Sequence, residues 1–288
     1  MKISRYRIIL SFSIIIPALA LGGCSERYKI ERMIWKAEKA AEPIFAQAGN
    51  VSDFEFDQAI GLYNNIINNT PADSKYVYTS RMRLGNLYTL KKSFDKAREI
   101  YDIIIFAHQG RPELVAPALF RKGQTYQAEG NWPGALTIFQ DIIEQYPRTQ
   151  EAVSIPLYIA RYYVTEGDEN SARQAYAKAI DHFKEMAIQY PGTKAAAMAD
   201  NLAVRTYLEM QDWNGAVSFI NELDNKYKLG PDTLFVLAGL YAQRLQEPEK
   251  ARQLYERIIA DFPDQKVTEA AKQQLDSLHN AKIPGTDS

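Results

Sequence analysis

The stretch ALFRKGQTYQAEGNWPGALTIFQDIIEQYP, residues 118–147, carries the pattern that organises the chain. It holds a glycine and a tyrosine three residues apart, then an alanine and an aromatic residue four apart, then a proline: Gly123, Tyr126, Ala135, Phe139 and Pro147. A small side chain lets a neighbouring helix approach closely, and aromatic rings fill the space between helices. With the turn AEGNWPG between its halves, the stretch predicts two antiparallel helices joined by a short turn.

The same pattern recurs along the chain, which makes it a repeat. The alanine of the second helix returns at residues 59, 97, 135, 172, 216 and 251. The other positions return as Phe56, Tyr63 and Pro71; as Leu84, Gly85, Tyr88 and Tyr101; as Ala160, Tyr163 and Tyr176; as Tyr207 and Ile220; and as Ala238, Tyr241, Tyr255 and Pro263. Because most tyrosines occupy these positions, we interpret them as packing residues.

These copies resemble the tetratricopeptide repeat, whose signature is G-x2-Y, A-x3-F and a closing proline with a period of roughly 34 residues. The copies here are mostly a few residues longer. The alternative is a generic all-helical bundle in which the alanines occur by chance, and six copies of the pattern in phase argue against it. One hairpin alone cannot bury its apolar stripe, whereas stacked hairpins can. The resemblance implies an all-α fold, a superhelical solenoid of about five to six helical hairpins over residues 28–282.

The N-terminal residues are typical of an export signal. Lys2, Arg5 and Arg7 precede an apolar run, residues 8–21, which is shorter than the roughly 20 residues that span a bilayer. The run ends in Leu21-Gly22-Gly23-Cys24, which resembles the lipobox of bacterial lipoproteins. In that family the cysteine is acylated and becomes the mature N-terminus. The alternatives are an ordinary signal peptide with an incidental cysteine, or an uncleaved anchor.

The predicted boundaries follow from this signal. Residues 1–23 form the signal peptide, residues 24–27 a short tether, and residues 283–288 a disordered tail. The first helix is expected from about Tyr28 and is expected to bend or end at Pro43. Cys24 is the only cysteine in the chain, so no intramolecular disulfide can form.

Compartment and charge narrow the classes of partner. In enteric lipoproteins, aspartate after the cysteine favours inner-membrane retention. Ser25 stands there, which predicts the periplasmic face of the outer membrane, with inner-membrane retention as the alternative. Removal of three signal-peptide cations from 34 basic residues leaves 31 against 35 acidic ones, a net charge of −4. That balance offers no basic surplus for nucleic acid.

The chain has no motif for catalysis, a metal or a cofactor. Its three histidines, at residues 108, 182 and 279, lack a second histidine or a cysteine at ligand spacing. His182 has Asp181 and Glu185 nearby, which predicts a solvated helix face. We therefore predict a non-enzymatic protein with no cofactor.

A binding groove is predicted by register. In the tetratricopeptide family the concave groove is lined by the first helix of each unit. Its ninth position corresponds to Asn86, Gln124, Arg161 and Arg205, and its fifth position includes Phe120 and Phe235. Mixed polar and apolar groups of this kind suit an extended or helical peptide.

Two departures from regularity stand out. Residues 171–190 are predicted to form one helix about two turns longer than its counterparts, because Ala172, Tyr176, Ala179, Phe183 and Ala187 share one face. The connections near residues 108–117 and 226–232 are expected to be extended loops. Insertions in a repeat array often map to a binding face.

A closer resemblance suggests a partner class. The repeat ends IIEQYPRT, AIQYPGT and IIADFPDQ resemble those of the BamD family of outer-membrane assembly lipoproteins and of YbgF-type periplasmic repeat proteins. This resemblance implies a membrane-anchored scaffold for envelope proteins or peptides, with a β-barrel assembly protein as a specific partner. The alternatives are a pilotin or a polysaccharide-export accessory lipoprotein and, in another class, a glycan-binding protein or an enzyme that uses a tyrosine-rich groove.

Replacement of Cys24 tests the lipid anchor. We expect Cys24→Ser to block maturation or to release the protein from the membrane, because serine cannot form the thioether. Membrane fractionation and the mass of the mature N-terminus measure this. Unchanged processing and fractionation would contradict the prediction.

Overall fold

The computed structural model describes residues 19–46 and 51–280, and these form thirteen α-helices without a strand. Most of the predicted signal peptide and the predicted tail lie outside the described residues. The helices are α1 (Leu19–Ala46), α2 (Asp53–Asn68), α3 (Lys75–Leu90), α4 (Phe94–Ala107), α5 (Pro112–Ala128), α6 (Trp132–Gln145), α7 (Gln150–Thr165), α8 (Glu169–Gln189), α9 (Lys194–Glu209), α10 (Trp213–Tyr227), α11 (Pro231–Gln243), α12 (Pro248–Asp261) and α13 (Lys266–Asn280).

Consecutive helices pack as hairpins within two compact units, Met1–Ala135 and Leu136–Ser288. In the first unit, α1 pairs with α2 and α3 with α4, and the neighbouring hairpins stack through α2 on α3 and α4 on α5. In the second unit, the pairs are α7–α8, α9–α10 and α11–α12, and α13 packs on the last pair. The predicted all-α fold of stacked repeat hairpins is confirmed.

A small residue beneath an aromatic ring brings the paired helices together. The ring of the fully buried Tyr101 in α4 lies on Gly85 of α3, where a Cβ atom would come 2.6 Å from the ring. The Tyr101 hydroxyl donates a hydrogen bond to Oδ1 of Asn86 at 2.8 Å. The six repeat alanines, at residues 59, 97, 135, 172, 216 and 251, are all buried. Their predicted packing role is confirmed.

The turns within the hairpins share one backbone geometry. A residue with positive φ stands two positions before the second helix in five hairpins: Lys92, Gly130, Gly167, Gln211 and Gln246. In all five, the next backbone N–H donates to the carbonyl of the repeat tyrosine, five residues back at residues 88, 126, 163 and 207 and six residues back at Tyr241. The five-residue bond of the first four hairpins is the one that closes a Schellman-type helix end. The repeat tyrosine thus packs through its ring and ends its helix through its carbonyl.

The first helix differs from its predicted limits. It begins at Leu19 rather than near Tyr28, and it contains Pro43 and ends at Ala46. No glycine or proline interrupts the backbone between Cys24 and Pro43, and Arg27 Nε donates to Glu31 Oε1 at 2.8 Å across one helical turn. The residues predicted to be a tether are therefore helical, while the cleavage site itself stays a prediction.

The predicted long helix is confirmed, and the predicted long loops are wrong. Helix α8 has 21 residues against 14 in α4 and 14 in α12, and its five predicted core residues are buried. The connections at residues 108–111 and 228–230 are short, because Pro112 and Pro231 begin helices, a position that suits proline. No helix within residues 19–46 and 51–280 has the length and apolarity needed to cross a bilayer.

Two glycines provide a matched test of the helix contact. We expect Gly85→Ala to lower the free energy of unfolding by about 1–3 kcal/mol, because its methyl group would overlap the buried Tyr101 ring. Gly61→Ala should raise it by about 0.5–1 kcal/mol, because Gly61 lies inside α2 with open space where its Cβ would be. Urea unfolding of both variants measures the difference. Equal effects would contradict the proposed role of Gly85.

Candidate partner-binding surfaces

The residues predicted to line the groove lie on the first helix of each hairpin, and most of them have partners within the protein. Asn86 in α3 accepts the Tyr101 hydroxyl, and Gln124 in α5 accepts from Arg121 Nη1 at 2.9 Å. Phe120 in the same helix is half-buried. Phe235 in α11 packs against Tyr255, with ring centroids 5.5 Å apart. These groups form part of the helix packing as well as part of the surface.

The structure brings Arg161 and Arg205 together at one carboxylate. Arg161 of α7 pairs with Glu209 through Nη2 and through Nε, the latter at 3.0 Å from Oε2. Arg205 of α9 also donates its Nε to Glu209 Oε1 at 3.0 Å. These bonds hold the pKa of Glu209 below its ordinary value and raise that of Arg161. The cluster therefore ties α7 to α9 and leaves only one net positive charge.

A groove lies between α9 and α11 in the second unit. Its volume is about 490 Å³, within the range of about 300–1,000 Å³ typical of ligand pockets. Helix α7 packs on α9, and α11 packs on α13, but α9 and α11 have little or no direct contact. The apolar part of the lining is Val204, Leu208, Leu223, Leu229 and Val236. Predicted groove residue Arg205 also lines it.

The connection between α10 and α11 shapes this groove. Lys228 ends α10 in the left-handed region, with φ of 52°, and the chain then turns so that Leu229 lines the groove. Asp224 fixes the turn: its Oδ1 accepts the Leu229 backbone N–H at 2.9 Å and Arg257 Nη2 at 3.0 Å. Because Arg257 belongs to α12, the groove wall is braced by the following hairpin.

A buried carboxylate also lines this apolar groove. Asp200 of α9 is only 9% exposed, and burial raises its pKa, although Lys226 and Tyr227 act in the opposite direction. Its charge is therefore incompletely compensated within the protein. Sequence reasoning missed Asp200. Its place within the alanine stripe Ala196, Ala199 and Ala203 was the available signal, because a charge there lies on a packing face.

The described residues contain no group of three or more side chains suited to hold a metal ion. His108 is buried, and its Nδ1 lies 2.7 Å from Arg111 Nη2. His182 is half-buried rather than on a solvated face, which corrects the prediction, because its ring packs beside Phe183 in α8. Burial lowers the pKa of His182.

The buried tyrosines weaken the glycan-binding alternative. That alternative depends on tyrosine rings lining an open groove. Five repeat tyrosines, at residues 63, 101, 176, 241 and 255, are instead buried in the helix core. Burial raises the pKa of Tyr101 to about 12. These rings are not available to stack on a sugar.

Two segments of the chain match a known protein family. Residues 117–149 and 232–264 match the model described as tetratricopeptide repeat. These two segments are tetratricopeptide repeats. The first segment covers most of α5 and all of α6, and the second covers most of α11 and all of α12. The hairpins α3–α4, α7–α8 and α9–α10 share the buried alanine and the turn geometry described above.

Solved tetratricopeptide-repeat proteins resemble the chain at low sequence identity. The thermophilic repeat protein TTC0263 of Thermus thermophilus is 15% identical over 70% of this chain and 98% of its own, with a TM-score of 0.40. A repeat protein from Parabacteroides merdae is 13% identical over 85% and 94%, with a TM-score of 0.38. The yeast Sti1 TPR2AB domain, solved in a complex with pHSP90, is 12% identical over 86% and 99%, with a TM-score of 0.32. Among curated proteins, none matches the chain.

Two carboxylates of α9 should affect stability with opposite signs. Folding raises the pKa of Asp200, so the folded state is stabilised when this side chain is protonated. That stabilisation is fully present below pH 3.8, the ordinary pKa of the group, and is lost as the pH rises through the raised pKa. Folding lowers the pKa of Glu209, so the folded state is stabilised when this side chain is ionised. That stabilisation is fully present above pH 4.5, the ordinary pKa of the group, and is lost as the pH falls through the lowered pKa.

At neutral pH we therefore expect Asp200→Asn to raise the free energy of unfolding, and Glu209→Gln to lower it, each by about 1 kcal/mol. Both differences should shrink in acid. Denaturant unfolding of the two variants across this pH range checks the signs. Destabilisation by Asp200→Asn at neutral pH would show that its charge is fully compensated.

Proposed function

We propose that the chain is a non-enzymatic, lipid-anchored scaffold of the bacterial cell envelope that binds a segment of a partner protein between α9 and α11. The observation that carries the proposal is the apolar groove with a buried carboxylate. Tetratricopeptide repeats present extended binding surfaces to protein partners, and two repeats are identified here. The lipobox ending at Cys24 and the following Ser25 support anchoring at the periplasmic face of the outer membrane.

The groove chemistry defines the class of segment. Its apolar walls suit one or more large aliphatic or aromatic side chains. A lysine or arginine next to these side chains would compensate Asp200, whose charge is costly when buried without a partner. The exposed Asp232 at the start of α11 also lines the groove. The segment is therefore apolar with an adjacent basic residue.

The resemblance to BamD-type lipoproteins gives the finer version of the proposal. In this version, the scaffold serves the assembly of outer-membrane β-barrel proteins, and the segment belongs to a component of that machinery.

Site-specific photo-crosslinking tests the groove. We expect a benzophenone side chain at Val236, which is 43% exposed in the groove, to capture an envelope-assembly protein in living cells. The matched control is Val164, which is 53% exposed on α7 and does not line the groove. Mass spectrometry identifies the adducts. The same adducts at both positions, or none at Val236, would contradict the proposed site.

Filling the groove provides a second readout. Ala197→Trp should abolish the Val236 adduct, because Ala197 is exposed and lines the groove. Ala177→Trp, at an exposed position on α8, should leave the adduct intact. Asp200→Asn should weaken binding of the captured segment about tenfold, equivalent to about 1.4 kcal/mol, if a cation of the segment pairs with Asp200.

A further inference from the structure

Helix α1 exposes a pair of aromatic side chains on one face. Tyr28 and Trp35 are 67% and 61% exposed, and they stand seven residues apart, which places them two turns apart on the same face. The opposite face, with Ala37, Ala41 and Ile44, is buried in the core that α1 shares with α2. The aromatic face thus takes no part in the packing between α1 and α2 and remains exposed.

Unpaired cations lie along one side of the two rings. Arg32 lies one turn after Tyr28, and Lys29 and Lys36 lie along one edge of the same face. These three side chains are exposed and make no ion pair with any residue in the described ranges. The other cations of the helix have partners: Arg27 pairs with Glu31, and Lys39 with Glu42. The charge left available on this face is therefore mainly positive.

The chain connects this face to the predicted anchor. The backbone of α1 is continuous from Leu19, so Cys24 precedes Tyr28 by one helical turn. Trp35 follows Cys24 by eleven residues, about 17 Å along the helix axis at about 1.5 Å per residue. Acyl chains on Cys24 would hold the bilayer within reach of both rings.

We propose that this face of α1 lies on the anionic headgroup layer of the membrane, with Tyr28 and Trp35 at the level of the headgroups. The proposal rests on the lipid anchor at Cys24. Tyrosine and tryptophan favour the membrane interface, since one part of each side chain is apolar and another is polar. Lys29, Arg32 and Lys36 contact lipid phosphates, which complement their charge. A helix with aromatic and basic residues on its free face lies in the plane of the interface.

The consequence is a fixed orientation for the first unit. One lipidated cysteine alone would allow the protein to rotate about its attachment point. A second contact along α1 restricts that rotation, so that the face of α1 opposite the core rests on the bilayer. The membrane surface therefore binds the aromatic and basic side chains in addition to the acyl chains.

Fluorescence of Trp35 tests the contact. The lipidated full-length protein is reconstituted in vesicles of phosphatidylethanolamine and phosphatidylglycerol that contain brominated acyl chains. The signal of Trp35 is the difference between this protein and Trp35→Phe, because Trp132 and Trp213 remain in both. We expect blue-shifted Trp35 emission that the bromine quenches. In vesicles of phosphatidylcholine alone, the quenching should fall severalfold.

A charge variant and its control separate the roles of the cations. Lys29→Gln, Arg32→Gln and Lys36→Gln together should lower the equilibrium constant for surface contact by up to about a hundredfold, since each cation contributes about a fivefold attraction to an anionic surface. The matched control is Arg173→Gln, Lys178→Gln and Lys194→Gln, three exposed cations of the second unit without ion pairs in the described residues. It should leave the quenching unchanged.

The experiments test the membrane contact of α1 and the lipid anchor at Cys24 separately. Vesicle-bound protein whose Trp35 is not quenched would overturn the membrane contact and leave the anchor intact. Protein whose Cys24→Ser variant matures and fractionates normally would overturn both, because the contact depends on the anchor. In cells, a photo-crosslinker at residue 35 should capture lipid. A protein adduct in its place would identify the face as a protein-binding surface and overturn the proposal.

Discussion

The contact between the ring of Tyr101 and the backbone of Gly85 shows the constraint on which the repeats depend. A ring can lie directly on a helix only where the side chain beneath it is small, so one position must be glycine or alanine and its counterpart aromatic. Small residues and aromatic residues recur at the corresponding positions along the chain, and the repeat alanines and five of the tyrosines are buried. Each close contact lets a hairpin present its remaining apolar stripe to the next hairpin, and stacking then buries it.

The character of the surface between first helices depends on how closely those helices pack. Between α7 and α9, the helices touch, and Glu209 compensates one of the two arginine charges that lie between them. Between α9 and α11, the contact is nearly lost, and apolar side chains line the opening. Glu209 and Asp200 belong to the same helix, yet their pKa values shift in opposite directions, because one has two arginine partners and the other is mainly desolvated.

The sequence predicted what depends on residue size and period, but not what depends on the geometry of one connection. The repeat positions, the all-α class and the long α8 were predictable, because small and aromatic residues recur at helical spacing. The groove was not, since it depends on a left-handed Lys228 and a turn held by Asp224, neither of which has a sequence signature. The register placed Arg161 and Arg205 on the correct helices. Glu209, four residues after Arg205, was an available sign that they are paired.

The connection at residues 228–230 also bears on how such a protein can change over evolutionary time. Other connections between one hairpin and the next, such as residues 146–149 and 190–193, end in a threonine that caps the following helix. Residues 228–230 lead instead to Gly230 and Pro231, without a side-chain cap. In a repeat array, stability is close to a sum of local terms, so a change at one joint leaves the other hairpins stacked. Selection can therefore vary the width of one cleft, and with it the choice of ligand, through a few residues that lie outside the repeat signature.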